Sequence, residues 1–439
     1  MERYKVITPN LSGLLGHGAE QRAEDPIKVR GLRERRTRGS EVALVTVYPS
    51  PEQASVHGVA SYAQALARDL KASGVDVEVW GDRSSESSRL PEHENGVQVL
   101  RLWRKGIVAG LDLWRGLRSR RPAIIHMQIE HFIFGGGLGF LSIMVFLTAC
   151  RLIRQKVVLT LHHVFDRGDV TREFLRESGL PQTPGVAYRL LQISTVLLCQ
   201  LAGRVIVHEE VFRQRLRRDY GVDLDRLCVV PHGTPAIAGK RPASRNSRQI
   251  LAFGYLKWYK GIDIVLRAFR ELQDEFPEWK LVIAGGLPFG LKTDHPHRHF
   301  LSELSSLAVS TDHQVEFTGY VDDADIPSLF SQADIVVFPY RVLFASSGPL
   351  ALAIGFRRPF ILSESMRPLL PSWPIWCRNS PPSWREAMRR LMLDDRMRSE
   401  AEAALEVLGA DRIWPIIADQ TVAAYRELGS PQAIPSHSA

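Results

Sequence analysis

Residues 248–263 read Arg-Gln-Ile-Leu-Ala-Phe-Gly-Tyr-Leu-Lys-Trp-Tyr-Lys-Gly-Ile-Asp. Ile250 to Phe253 is an apolar run of the length of a buried parallel strand, and Gly254 breaks it. From Gly261 onward Ile262, Val265, Leu266 and Phe269 recur at helical spacing. The stretch therefore predicts a strand, a tight turn and a helix. A helix N-terminus at the carboxyl edge of a parallel sheet presents free N–H groups and the positive end of its dipole, and Lys257 and Lys260 stand beside it. Such a corner suits a diphosphate. An ordinary βα turn with two solvated lysines reads the same locally, and the glycine fingerprints of phosphate loops are absent.

The C-terminal half repeats this unit. Apolar runs at Ile250–Phe253, Lys280–Ala284, Val315–Thr318, Ile335–Pro339 and Pro359–Leu362 alternate with helical patterns, the signature of a doubly wound α/β domain. Between the last two runs, Ala345-Ser346-Ser347-Gly348 precedes the apolar helix of Leu350 to Gly355. Small polar residues there let the helix N–H groups and the Ser346 and Ser347 hydroxyls close on an anion, or simply cap the helix. Further helices are predicted at Ser383–Leu393, Ser399–Leu408 and Ile413–Leu428, the last with Trp414-Pro415 at its start.

The N-terminal half has the same rhythm. Glu41–Tyr48 reads as a strand, Tyr62, Leu66 and Leu70 as one helix face, and Val75–Trp80 as the second strand. Gly58, just before that helix, is either a second anion cradle or a plain turn glycine. Ala123–Glu130 is a strand finishing on polar groups, and open α/β sheets bind ligands at their strand carboxyl ends, which makes Gln128, Glu130 and His131 site candidates. The uncharged run Phe132–Cys150 has the length of a membrane span. It leads, however, into another buried strand, Lys156–His162, and a span cannot sit in the crossover between neighbouring parallel strands. A buried crossover helix with one face dipping into a bilayer surface is predicted instead. Strands ending at His162-His163, at His208-Glu209 and before Pro231-His232-Gly233 complete the edge.

Composition fits two globular domains: 439 residues, 45% hydrophobic and 24% charged. Half of the formal +8 charge lies in residues 1–40, with nine Lys or Arg against five Asp or Glu, so the folded remainder is only mildly basic and no nucleic-acid partner is expected. That tail lacks the apolar core of a signal peptide and reads as a disordered basic segment or a polybasic lipid contact. Cys150, Cys199, Cys228 and Cys377 are scattered, which points to reduced thiols in a cytoplasmic protein rather than to disulfides or zinc. His295, His297 and His299 fall in Asp294–Phe300, read as an exposed loop, so no metal site is expected.

In this order, the pieces resemble the retaining glycosyltransferases of the GT-B fold, the family-four type with two facing Rossmann-like domains. His126-Met127-Gln128-Ile129-Glu130 with Phe134-Gly135-Gly136 resembles their "H-x-Q-x-E … GG" segment, and Leu159-Thr160-Leu161-His162 their "VTLH" strand end. Arg204–His208, Val230–Gly233 and Phe253-Gly254 through Lys260-Gly261 continue the series. Two features depart from the family. Tyr255 replaces the arginine that follows the donor-loop glycine, and Phe344 and Leu352 occupy the glutamate positions of the E-x7-E motif; Ser346-Ser347-Gly348 fits a variant with a small-residue segment.

The resemblance implies a metal-independent hexosyltransferase with no cofactor, taking a nucleotide-diphosphate sugar as donor. His162, Lys257 and Lys260 would be catalytic; Gly58, Gly254, Lys257, Lys260, Ser346, Ser347 and Gly348 would hold the donor; Gln128, Glu130 and His131 would face a sugar, lipid-linked or small-molecule acceptor. The implied domains are a tail (1–40), an acceptor domain (41–234), a linker (235–249), a donor domain (250–412), a helix returning to the first domain (413–428) and a second tail (429–439). The enzyme would work in the cytoplasm, either free or at the inner face of the cytoplasmic membrane. An inverting or epimerising GT-B enzyme and a non-catalytic GT-B protein are the rival readings.

Overall fold

The structure, a computed structural model, describes residues 40–49, 58–83, 91–131, 133–178, 183–235, 247–286, 296–308 and 314–428. The first domain runs β1 (Val42–Val45), α1 (Gly58–Ala72), β2 (Val77–Asp82), β3 (Glu92–Glu94), β4 (Val97–Trp103), α2 (Ala109–Arg120), β5 (Ile124–Ile129), α3 (Gly136–Leu152), β6 (Lys156–Leu161), α4 (Arg172–Ser178), α5 (Pro184–Leu201), β7 (Arg204–Val207), α6 (Glu210–Tyr220) and β8 (Leu227–Val229). The second runs β9 (Gln249–Phe253), α7 (Ile262–Arg270), β10 (Lys280–Ala284), α8 (Pro296–Ala308), β11 (Val315–Gly319), α9 (Ile326–Gln332), β12 (Ile335–Phe338), α10 (Gly348–Gly355), β13 (Phe360–Ser363), β14 (Trp376–Cys377), α11 (Pro381–Leu393) and α12 (Asp395–Ala410), and α13 (Trp414–Glu427) is the last described helix.

The first sheet has the order β3-β4-β2-β1-β5-β6-β7-β8, parallel except for β3. The second is parallel throughout in the order β11-β10-β9-β12-β13-β14, the Rossmann arrangement. Every residue of β5 is buried, as expected of a central parallel strand covered on both faces. In each sheet the strand order reverses at one point, β1/β5 and β9/β12, and there the carboxyl ends open a crevice.

β3, β4 and α2 were not legible in the sequence. β4 alternates buried and half-exposed residues, but one buried position is Arg101, which hides the apolar pattern. Its guanidinium is satisfied by the Tyr48 carbonyl at 2.8 Å and by Glu92 on β3 at 3.1 Å. The Phe132–Cys150 run contributes α3, which connects the parallel neighbours β5 and β6. No helix among the described residues is long and apolar enough to cross a membrane. Asp294–Phe300 is not a simple loop: α8 begins at Pro296 and carries positions 297 and 299 on a helix, while residue 295 lies outside the described residues. Residues 1–39, 236–246 and 429–439, which hold most of both predicted tails and of the linker, also lie outside them.

Two chain crossings run side by side between the domains. Thr234 N–H donates to the Arg412 carbonyl at 2.7 Å, and Arg412 grips Glu209, at the end of the first sheet, with bonds of 2.7 and 3.1 Å. Trp414 packs so closely on Gly233 that any side chain there would overlap the indole. Beyond Trp414, α13 lies on α1, with Ile417 and Ala418 fully buried in one cluster with Leu66 and Leu70. A third contact comes from the segment after β12. Val164 N–H donates to the Phe344 carbonyl at 2.7 Å, and Arg215 bridges the Leu343 and Val164 carbonyls to Asp169.

Candidate active site

The carboxyl ends of β6, β7 and β8 bring three histidines together around one tyrosine. Tyr62, one turn into α1, stands edge-on or tilted to His162, His208 and His232, with ring centroids 5.0, 5.0 and 5.2 Å away. His208 Nδ1 donates to the Val230 carbonyl at 3.0 Å, so its Nε2 accepts from His162 Nδ1–H at 3.3 Å. His162 Nε2 is then an acceptor, 2.8 Å from the amide end of Gln128. Two acceptors would repel there, so the Gln128 amide turns its NH2 toward His162 and its oxygen toward His126 Nε2, 3.2 Å away. His126 Nε2–H also reaches Thr160 Oγ1 at 2.7 Å, and its Nδ1 accepts from Tyr425 on α13 at 2.6 Å.

Burial sets the charge of this wall. Desolvation pushes His126 and His208 down to about 3 and His232 to about 4. His162 is held well below its ordinary value by burial, reinforced by His208 and other neighbouring imidazoles. All are neutral at pH 7. His163, also pushed to about 3, has Glu130 3.9 Å from its Nε2 and feels Lys257 from the opposite domain.

Gln128 is fully buried and reaches the cleft only through His162, while Glu130 stays half-exposed. His131 does not line the cleft. Its ring stacks on Phe140, bonds Thr195 at 3.3 Å and is buried beneath α3 and α5, which corrects its assignment to the acceptor side. Gly58 opens α1, with nothing among the described residues within 4 Å of where a Cβ would sit, so none of them requires a glycine there.

The facing wall belongs to the second domain. Lys260 ends a short 3-10 turn that Arg341 pins by bonding the Trp258 carbonyl at 2.6 Å and Asp263 at 2.7 Å. The Lys260 ammonium is buried, donates to Tyr340 Oη at 2.9 Å, and has no carboxylate partner among the described residues. Tyr340 Oη lies 3.2 Å from Ser347 Oγ, which caps α10 by accepting from Leu350 N–H. Pro349 has no amide hydrogen, so the Gly348 N–H is left as the first exposed donor of that helix. Gly254 has φ +116°, and a Cβ there would sit 2.5 Å from Lys260 Nζ. His232 Nε2 lies 3.7 Å from the corresponding point of Gly348, so the two walls meet.

Phe344, at the first glutamate position of the resembled family, instead packs between Phe165, Phe174 and His163 of the first domain. Sequence reading missed Tyr62, Tyr340 and Tyr425. Each is a tyrosine in an apolar run that a core side chain would fill equally well, and only the fold shows their hydroxyls and rings converging on the histidines and Lys260.

Solved structures share this architecture. A sucrose-phosphate synthase from Thermosynechococcus elongatus superposes with a TM-score of 0.67 at 16% identity, covering 88% of this chain and 98% of that one. The Anabaena protein HepE, in complex with UDP and glucose, superposes with a TM-score of 0.65 at 13% identity, covering 89% and 100%. Residues 56–236 match the family described as Glycosyltransferase Family 4, and residues 234–353 the family described as Glycosyl transferases group 1. The chain belongs to the family-four glycosyltransferases of the GT-B fold. Among relatives of this glycosyltransferase, a D-inositol 3-phosphate glycosyltransferase from Kineococcus radiotolerans is 27% identical over 88% of this chain and 94% of its own. A mannosylfructose-phosphate synthase from Agrobacterium fabrum is 29% identical over 33% of this chain and 34% of its own.

Proposed function

We propose that this glycosyltransferase moves a hexosyl group from a nucleotide-diphosphate sugar to an acceptor hydroxyl, without a metal and with retention at the anomeric carbon, in polysaccharide, glycolipid or glycoconjugate synthesis. One observation carries the reading: the buried Lys260 ammonium, which has a tyrosine hydroxyl but no carboxylate beside it among the described residues. A buried cation without a counter-ion is costly, and an anionic ligand relieves that cost.

The departing diphosphate would lie against Lys260, Lys257, the Gly348 amide and the hydroxyls of Ser346 and Ser347. Fixed donors aimed at developing negative charge are the largest single contribution available to such a site. The neutral histidine wall would shape the sugar pocket without competing for the phosphates, His162 packing nearest the transferred unit and Glu130 toward the acceptor. Gln128 would act by orienting His162.

Retention is supported over the inverting reading by the use of both His162 nitrogens within the wall, Nδ1 toward His208 and Nε2 toward Gln128, so the ring has no position left to take the acceptor proton. The buried free thiols of Cys150 and Cys199 agree with work in a reducing compartment such as the cytoplasm.

Thermal unfolding in a panel of nucleoside diphosphates and their sugars tests the donor. The right one, at 100 times its dissociation constant, stabilises by about 2.7 kcal/mol. NMR of the product's anomeric proton then reads the stereochemistry, and inversion would refute the retaining assignment.

A further inference from the structure

Among the described residues fourteen large apolar side chains are exposed, and eleven of them lie between Ile107 and Leu197; the other three are Trp376, Leu393 and Val407. They form stripes. On α3, Leu138, Leu141 and Val145 fall on one helical face, and on α5 Leu190, Ile193 and Leu197 do the same. The helices are neighbours: α3 packs against both α2 and α5, and α2 meets α3 where Gly110 N–H donates to Ser142 Oγ at 2.8 Å. Leu111 on α2, about half exposed, extends the α3 stripe from that junction.

Basic side chains dominate the charge around these stripes, with Asp166 and Asp219 as acids beside Arg189 of α5. Neither α3 nor α5 contains an Asp or Glu, whereas Arg115, Arg118, Arg151, Arg154, Lys156 and Arg189 stand exposed on or beside the three helices. Asp112, the acid of α2, is buried and already bound to Arg104 at 2.9 Å. An apolar stripe framed by cations with no acid in it suits a surface whose interior is hydrocarbon and whose headgroups are negative.

We propose that the outer face of α2, α3 and α5 docks this enzyme on an anionic lipid bilayer, the stripes entering the headgroup boundary and the arginines pairing with lipid phosphates. α3 lies along such a surface and does not cross it, because both its ends are tied to β5 and β6 of one sheet. The face borders the active site, since α3 begins at Gly136, shortly after Glu130, so a bilayer-held acceptor would approach from the first domain's side.

Cosedimentation of the full chain with vesicles tests this. Binding is expected to vesicles of equimolar phosphatidylglycerol and phosphatidylcholine, weaker binding to phosphatidylcholine alone, and release by high salt. A Leu141→Glu/Val145→Glu double variant should lower the partition by roughly tenfold or more. Each of Arg151→Ala and Arg154→Ala should lower it about fivefold. Val407→Glu, exposed on α12 outside the face, should change nothing. Donor hydrolysis in the absence of vesicles should be equal in all variants, so failure of the docking surface is separable from failure of the catalytic reading. Three results would overturn the proposal: no vesicle binding, binding undiminished in the double variant, which would assign it to the basic first 40 residues, or a solution dimer that the double variant splits, which would assign the face to a second copy of the chain.

Discussion

Tyr425 Oη lies 2.6 Å from His126 Nδ1, a hydrogen bond between the last described helix and the centre of the first sheet. From His126 the chain of bonds runs through Gln128 to His162 and His208. The returning helix thus sets the orientation of the ring proposed to meet the sugar. Replacing Tyr425 by Phe leaves His126 Nδ1 buried without a donor and should cost about 1–3 kcal/mol in urea unfolding. Turnover should fall more than donor affinity, because the affected group lies on the sugar side of the cleft. Unchanged unfolding would show that the bond contributes nothing.

Protonation of the histidine wall gives the second prediction. His126, His131, His163 and His208 are pushed to about 3 and His232 to about 4, all by burial. Their unfolded value is near 6.5, so between roughly pH 3 and 6.5 the unfolded chain binds more protons than the folded one. Their contribution to stability is therefore complete above about pH 6.5 and lost as pH falls. One unit below that, each costs about 1.4 kcal/mol, and five together approach the whole stability of a typical domain. Asp169, raised to about 6 by burial, acts in the opposite sense but is a single group. The unfolding temperature should drop steeply from pH 6.5 to 5; a flat profile would mean that these rings are hydrated and charged.

Phe344 shows what became of the missing glutamate. It clasps the first domain through Phe165 and Phe174 while its carbonyl accepts from Val164 N–H. Phe344→Ala should destabilise by about 3–5 kcal/mol and make the two domains separate more readily, seen as a larger radius of gyration in solution scattering. Phe344→Glu should be no better, because it buries a carboxylate among aromatic rings. An unaltered radius in both variants would show that the clasp does not hold the domains together.

Much of this was legible beforehand. The second sheet, α3 as a crossover and the return of the last helix all followed from apolar runs, their spacing and family resemblance, because parallel strands covered on both faces write themselves as unbroken apolar segments. The edge of the first sheet did not, since β4 buries Arg101 and β3 is three residues long. Nor did the core position of His131, which shares a strand end with Glu130. Which way a residue turns after a strand depends on the helix that follows, and Phe140 supplies the ring on which His131 stacks.

Gly254 is the closest check on the geometry around the lysine. Alanine there must adopt φ near +116° and place its Cβ 2.5 Å from Lys260 Nζ, so the ammonium has to move. Gly254→Ala should lower turnover by at least about tenfold through Lys260, with smaller loss of fold stability than of rate. Wild-type turnover would mean that the position of Lys260 Nζ is not critical.

The central claim, that Lys260 receives the leaving diphosphate, is tested most directly by the turnover of Lys260→Met, which keeps the buried stem and removes the charge. With the donor that stabilises the wild type, kcat should fall by roughly 10² to 10³-fold, the range for losing a fixed donor to developing charge, while ligand-free stability stays at or above that of the wild type. An unchanged kcat with that donor would contradict the account.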